Sequence, residues 1–181
     1  MKPSDYFQKL NECIAKTDLN KVSEAIDVIK KFVDQDKWIF TCGNGGSAST
    51  ASHYVTDWGK MRFVNLQKSF KCMCLSDNIG MLTAYGNDIS YANVFDHSLK
   101  NYASSSDLVI FISGSGNSRN ILEACEKAKE IGMTTLCVVG YDGGKISQLA
   151  DYCVHFPSFD MQICEDLHLS FGHMVMKALC E

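Results

Sequence analysis

The sequence has no excess of basic residues and no long apolar run. Its 181 residues include 17 lysines and arginines against 21 aspartates and glutamates, a formal net charge of −4. Nucleic-acid binding depends on clustered basic residues that neutralise phosphates, and no such cluster occurs. A bilayer crossing needs about 20 consecutive apolar residues, and no run approaches that length. We therefore expect neither nucleic acid nor membrane as a partner.

Three further features are scarce: secretory signals, linkers and paired cysteines. Residues 1–5 lack the basic-then-apolar layout of a signal peptide, which predicts a cytoplasmic protein. Only two prolines and no low-complexity segment occur, so nothing marks a domain boundary and we expect one domain over residues 1–181. The nine cysteines are an odd number lying mostly in apolar or helical stretches, which favours reduced core residues over disulfides.

Short apolar segments alternate with helical ones along the chain. Residues 1–37 place apolar side chains at helical spacing, broken near Thr17 and Asp18. The predicted strands cover residues 38–42, 72–75, 108–112, 134–139 and 152–156. The other predicted helices cover residues 47–60, 120–131 and 161–181, with a short helical patch that ends at Tyr85. Continuously apolar strands between helices predict an α/β fold, a three-layer sandwich with a central parallel sheet flanked by helices.

Two polar, glycine-containing loops follow predicted strands. Loop A, residues 44–47, reads Asn44-Gly45-Gly46-Ser47 and leads into a helix. Glycines let the backbone present its N–H groups, and a helix N-terminus attracts anions. A plain strand-to-helix turn accounts for loop A equally well, so the loop alone does not decide between turn and anion site.

Loop B, residues 113–118, favours the anion site. It offers three hydroxyls within six residues, more than a turn requires, at Ser113, Ser115 and Ser118. Neither loop is followed by the Lys-Ser or Lys-Thr of a nucleotide-binding P-loop, and the glycine spacing does not fit a dinucleotide site. Hydroxyls and backbone without lysine suit a phosphomonoester.

Downstream of loop A, His53 and Asp57 stand four residues apart and therefore share one helix face. Such a pair holds a metal or transfers protons. A solvated helix face is the competing interpretation, and the position shortly after loop A favours chemistry.

Loops A and B with their flanking residues resemble the SIS (sugar isomerase) family, and specifically its phosphoheptose isomerase branch. The segments 86–88 (Gly-Asn-Asp), 142–145 (Asp-Gly-Gly-Lys) and 165–173 agree as well. The resemblance covers nearly the whole chain. It implies the SIS fold, a cytoplasmic homotetramer with active sites at subunit contacts, and the first two helices at those contacts.

The resemblance also implies a function, a site and a metal. The reaction would be aldose–ketose isomerisation of sedoheptulose 7-phosphate through an enediolate, for heptose synthesis in surface glycans, with Asp57 as base and His173 as its proton-transfer partner. Zinc would be held by His53, Asp57, Glu165 and His173. The implied substrate-binding residues are Asn44, Gly45, Gly46, Ser47, Asp57, Asn87, Asp88, Ser113, Gly114, Ser115, Ser118 and Glu165.

Two of the four implied metal ligands depart from the family pattern. Asp57 replaces a glutamate and is one methylene shorter, and Glu165 replaces a glutamine and adds a negative charge. Glu165 and His173 are also eight residues apart, about 12 Å along a helix, so one metal reaches both only off the helix or across chains. Two alternatives stay open: a non-catalytic SIS module that binds a sugar phosphate or acts as an adaptor, and an isomerase of another phosphosugar.

Overall fold

The computed structural model describes residues 1–181 and contains one parallel β-sheet with helices on both faces. The strands are β1 Ile39–Gly43, β2 Cys72–Cys74, β3 Leu108–Ser113, β4 Thr134–Val139 and β5 Tyr152–His155. The helices are α1 Pro3–Lys16, α2 Leu19–Asp34, α3 Gly46–Leu66, α4 Ile79–Asp88, α5 Val94–Tyr102, α6 Arg119–Ile131, α7 Ile146–Leu149 and α8 Met161–Leu179, with a 3₁₀ turn at Tyr91–Asn93. The strand order is β2-β1-β3-β4-β5, and all neighbours are parallel. This confirms the predicted fold class.

The sheet separates two apolar cores. Within β3, Leu108 and Ile110 face the core built with α1, α2, α3 and α8. Val109 and Phe111 face the opposite core, built mainly with α5, α6 and α7. Because the central strands β1, β3 and β4 are buried on both sides, they read as continuous apolar runs.

Local capping explains where several helices begin. The Asp18 carboxylate accepts hydrogen bonds from the Asn20 and Lys21 N–H groups at 3.0 and 3.4 Å, so α2 starts there as expected. Asn78 caps α4 in the same way through the Met81 N–H at 3.0 Å. Helix α4 continues across Gly86 to Asp88, so the prediction that this helical patch ends at Tyr85 was wrong.

The carboxyl ends of strands β1 and β3 bring loops A and B together. Loop A follows β1 and loop B follows β3, and these strands are neighbours with Gly43 paired to Ile112. Parallel neighbours end at the same edge of a sheet, where open α/β folds bind their ligands. The topology therefore places both loops side by side.

The cysteines and the helix composition can be compared with what the sequence predicted. All nine cysteines are free, and six of them are buried. None of the helices combines the length and apolar character that a membrane crossing demands.

Candidate active site

Loops A and B line one side of a small cleft of about 280 Å³. Its walls are formed by Asn44, Gly45, Gly46, Ser47, Ile112, Ser113, Gly114, Ser115, Ser118, Met161 and Glu165. All eight residues predicted from the two loops are among them. No lysine or arginine lines the cleft, so an anion here would be held by backbone N–H groups and hydroxyls.

Backbone geometry leaves donors free in the cleft. Gly45 adopts φ +54° as the N-cap of α3 and makes no side-chain cap, which leaves the first N–H groups of α3 open. Ser118 is the N-cap of α6, and its hydroxyl makes no cap bond either. The Ser113 and Ser115 oxygens accept the Gly116 and Asn117 N–H groups at 3.1 and 3.2 Å. Their own O–H groups are therefore available to donate to a ligand.

The segment Asp142–Lys145 supports loop B from behind. Gly116 has φ +64°, and a β-carbon on it would stand 3.1 Å from Gly144 Cα. The Lys145 N–H donates to Asn117 Oδ1 at 3.1 Å, and the Ile146 N–H donates to the Gly116 carbonyl at the same distance. This close backbone approach explains why glycines occur in both segments.

Glu165 brings the only charge into the cleft lining. It lies in the second turn of α8 and packs its half-buried side chain against loop A. A β-carbon on Gly46 would stand 2.8 Å from the Glu165 Cδ atom. Gly46 is therefore required for the carboxylate to lie over the loop.

A second group, formed by His53, Asp57 and His173, lies where α3 and α8 meet. Each offers one ligand atom, and the three atoms are within 4.8 Å of one another. The Asp57 Oδ2 atom is 3.1 Å from His53 Nε2 and 3.5 Å from His173 Nε2. The two imidazole Nε2 atoms are 3.3 Å apart. This arrangement suits proton transfer or a divalent cation.

Packing between α3 and α8 fixes this group. Tyr54 and Trp58, each next to one of the reactive residues of α3, are fully buried. The Trp58 indole N–H donates to the Gly172 carbonyl at 2.8 Å, and the Tyr54 hydroxyl donates to the His168 carbonyl. A β-carbon on Gly172 would meet the Tyr54 ring. Because Gly172 precedes His173, this close approach sets the position of the imidazole.

Some residues predicted to share one site lie apart from each other within a single chain. Both Glu165 and His173 lie within the regular helix α8, two turns apart, and Glu165 does not join the three-residue group. Asn87 and Asp88 are exposed at the end of α4, where the Asn87 amide donates to Asp88 Oδ1 at 2.7 Å. They do not line the cleft.

His168 lies in the core, as the structural interpretation of this residue predicts. It is fully buried, and both ring nitrogens lack a hydrogen-bond partner. Burial lowers the pKa of His168 to about 4. The imidazole is therefore neutral at physiological pH.

Two residues that the sequence did not single out contact loop A. The amides of Asn44 and Asn120 exchange two hydrogen bonds, at 2.8 and 2.9 Å, and the Tyr91 hydroxyl donates to Asn44 Oδ1 at 2.8 Å. Asn120 is buried although it lies on a helix surface next to loop B. A polar residue at an otherwise apolar position of the first turn of α6 was the available sequence signal.

The fold and the paired loops define a SIS domain, and the SIS domain family model matches residues 4–140. The phosphoheptose isomerase of Clostridium acetobutylicum is 34% identical over 87% of this chain and 80% of its own. That of Rhodospirillum rubrum is 30% identical over 98% of this chain and 93% of its own. Phosphoheptose isomerase from Neisseria gonorrhoeae has a similar structure, with a TM-score of 0.89 at 26% identity over 97% of this chain and 95% of the other.

The chain therefore belongs to the phosphoheptose isomerase branch of the SIS family. The family and the fold that the loops predicted are both confirmed.

Proposed function

We propose that this protein is an aldose–ketose isomerase that converts sedoheptulose 7-phosphate into the corresponding aldose heptose 7-phosphate, a step in heptose synthesis for surface glycans. The observation that carries the proposal is that α3 and α8 carry both parts. Their first turns line the hydroxyl-containing cleft, and about two turns further along the same helices stand His53, Asp57 and His173. One part binds a phosphate, and the other transfers protons.

The phosphate anchors the sugar without reacting. Loops A and B bind it through the hydroxyls of Ser113, Ser115 and Ser118 and the N–H groups at the start of α3. A fixed phosphate limits the positions that the reacting carbons adopt, which lowers the entropic cost of the reaction.

The reaction moves one proton from C1 to C2 and one from O1 to O2. Asp57 removes the C1 proton of the ketose, and the electron pair forms the enediolate with the negative charge on O2. His173 gives a proton to O2 and takes the O1 proton, and Asp57 returns its proton to C2. The 3.5 Å between Asp57 Oδ2 and His173 Nε2 lets both groups reach neighbouring atoms of one substrate.

The same three residues fit a zinc ion. Two imidazoles and one carboxylate form a common catalytic zinc ligand set that leaves a coordination position open. Bound zinc would polarise the sugar oxygens as a Lewis acid. Glu165 would join this set only from a neighbouring chain, because α8 holds it two turns from His173. Roles for Asn87 and Asp88 in substrate binding also stay predictions.

A cytoplasmic homotetramer is part of the proposal. The first two helices expose Phe7, Ile14 and Leu19, at 63, 43 and 63% of their surface. Several large apolar side chains exposed on one pair of helices are typical of contact surfaces. Size determination in solution tests this, and a monomer would contradict it.

Replacing Asp57 by asparagine tests the assigned base. Loss of a general base lowers the rate by about 100-fold to 10,000-fold, so Asp57→Asn should abolish most aldose formation from sedoheptulose 7-phosphate, with and without added zinc. Glu126→Gln, on the exposed face of α6, is the control for loss of one carboxylate. Equal turnover by Asp57→Asn and the unaltered protein would remove Asp57 as base.

A further inference from the structure

Both polar atoms of the Asn44 side chain make hydrogen bonds within the protein. Its Oδ1 accepts from Asn120 Nδ2 and from the Tyr91 hydroxyl, both at 2.8 Å. Its Nδ2 donates to Asn120 Oδ1 at 2.9 Å. A carboxamide has two acceptor lone pairs and two N–H groups. One N–H of Asn44 is therefore left, in a residue that lines the cleft.

The two partners come from different parts of the fold. Asn120 lies in the first turn of α6, directly after loop B, and only 3% of its surface is exposed. Tyr91 lies in the 3₁₀ turn before α5, and 59% of its surface is exposed. Asn44 thus connects loop A to the start of α6, the helix that follows loop B.

The Tyr91 hydroxyl is a third hydrogen-bonding group on the Asn44 amide. A reciprocal pair of carboxamides keeps both hydrogen bonds when both groups turn over together, so the pair alone does not fix which atom of Asn44 is left over. In this structure the hydroxyl donates to Asn44 Oδ1, and the group left over is an N–H. A phosphate accepts hydrogen bonds from an N–H group and would be repelled by a carbonyl oxygen.

We propose that Tyr91 and Asn120 are positioning residues that orient the Asn44 amide as a hydrogen-bond donor to the bound sugar phosphate. The inference rests on the proposed sugar-phosphate function for the identity of the ligand. Tyr91 and Asn120 act through Asn44 and need not touch the ligand themselves.

Tyr91→Phe tests this by removing only the hydroxyl of a largely exposed residue. We expect its affinity for inorganic phosphate or sedoheptulose 7-phosphate, measured by calorimetry, to fall about fivefold, the usual effect of one neutral hydrogen bond. In an Asn44→Ala background the same substitution should change neither affinity. Tyr102→Phe, which removes a hydroxyl of similar exposure outside the cleft, should leave both affinities unchanged.

Asn120→Leu provides a second variant. It has a similar size and adds no charge, and it removes both hydrogen bonds to Asn44, so we expect a larger loss of affinity than in Tyr91→Phe, again absent in the Asn44→Ala background. Thermal unfolding without ligand identifies a folding defect, and Tyr91→Phe decides if Asn120→Leu fails to fold.

The outcomes separate the two proposals. Loss of affinity in both backgrounds would show that Tyr91 acts without Asn44, and no loss in the natural background would show that it does not act; either result overturns the positioning role. Binding of both ligands without isomerisation would refute the isomerase and leave the positioning role intact. No phosphate binding by the unaltered protein would overturn both.

Discussion

Replacing Glu165 by glutamine removes the one charge that lines the cleft and keeps the shape of the side chain. The carboxylate lies over loop A at the start of α3, where the helix N-terminus otherwise favours anions. A bound phosphate would therefore experience repulsion from Glu165. We expect Glu165→Gln to bind inorganic phosphate more tightly than the unaltered protein.

The size of the effect follows from the half-buried position of Glu165. Two unit charges about 6 Å apart repel by roughly 0.7 kcal/mol in water and about 3 kcal/mol at an effective dielectric constant of 20. Because Glu165 is neither fully exposed nor fully buried, the gain lies between these limits. This corresponds to an affinity increase of roughly threefold to 100-fold for each negative charge of the ligand.

Calorimetric titration with inorganic phosphate at low and at moderate salt measures this gain. The gain should shrink at higher salt, because ions screen partly exposed charges. Glu126→Gln, an exposed glutamate of α6 outside the cleft, is the matched control and should show no gain. An affinity that is unchanged or weaker in Glu165→Gln would refute the placement of phosphate beside this carboxylate.

Two further predictions concern stability. The pKa of His168 is lowered from 6.5 to about 4. Between these pH values the folded state therefore binds fewer protons than the unfolded state. The free energy of unfolding should fall by up to about 3 kcal/mol as the pH drops from 6.5 to 4. His168→Leu should reduce this slope in urea titrations, and an unchanged slope would contradict it. Gly116 has φ +64° and lies against residues 143–144, so Gly116→Ala should lower the free energy of unfolding by more than about 1 kcal/mol and weaken phosphate binding. Gly59 lies in open space on α3, so Gly59→Ala should raise the free energy of unfolding by about 0.5–1 kcal/mol. Equal shifts of the melting temperature in both glycine variants would contradict the close approach.

The sequence allowed the sheet and both loops to be predicted because their causes are local. Strands buried on both faces are continuously apolar, and a hydroxyl-rich glycine loop after such a strand is typical of an anion site. Neighbouring parallel strands then bring loops A and B to one edge, as the pairing of Gly43 with Ile112 shows.

Other parts of the site depend on tertiary packing, which no local pattern records. Glu165 lies over loop A because α8 crosses there and Gly46 has no side chain. In the sequence, Asn120 stands out only as a polar residue on the apolar face of α6, and the fold alone identifies Asn44 as its partner. The end of α4 was missed because the helix continues through Gly86, a residue that usually disfavours helix.

The most direct measurement follows sedoheptulose 7-phosphate with the purified protein in D₂O by NMR. We expect signals of an aldose heptose 7-phosphate to appear, with deuterium at C2 to the extent that the proton held by Asp57 exchanges with solvent. Asp57→Asn should show far slower aldose formation under the same conditions. Binding of the sugar phosphate with no aldose and no deuterium incorporation, in the presence or absence of zinc, would contradict the isomerase function.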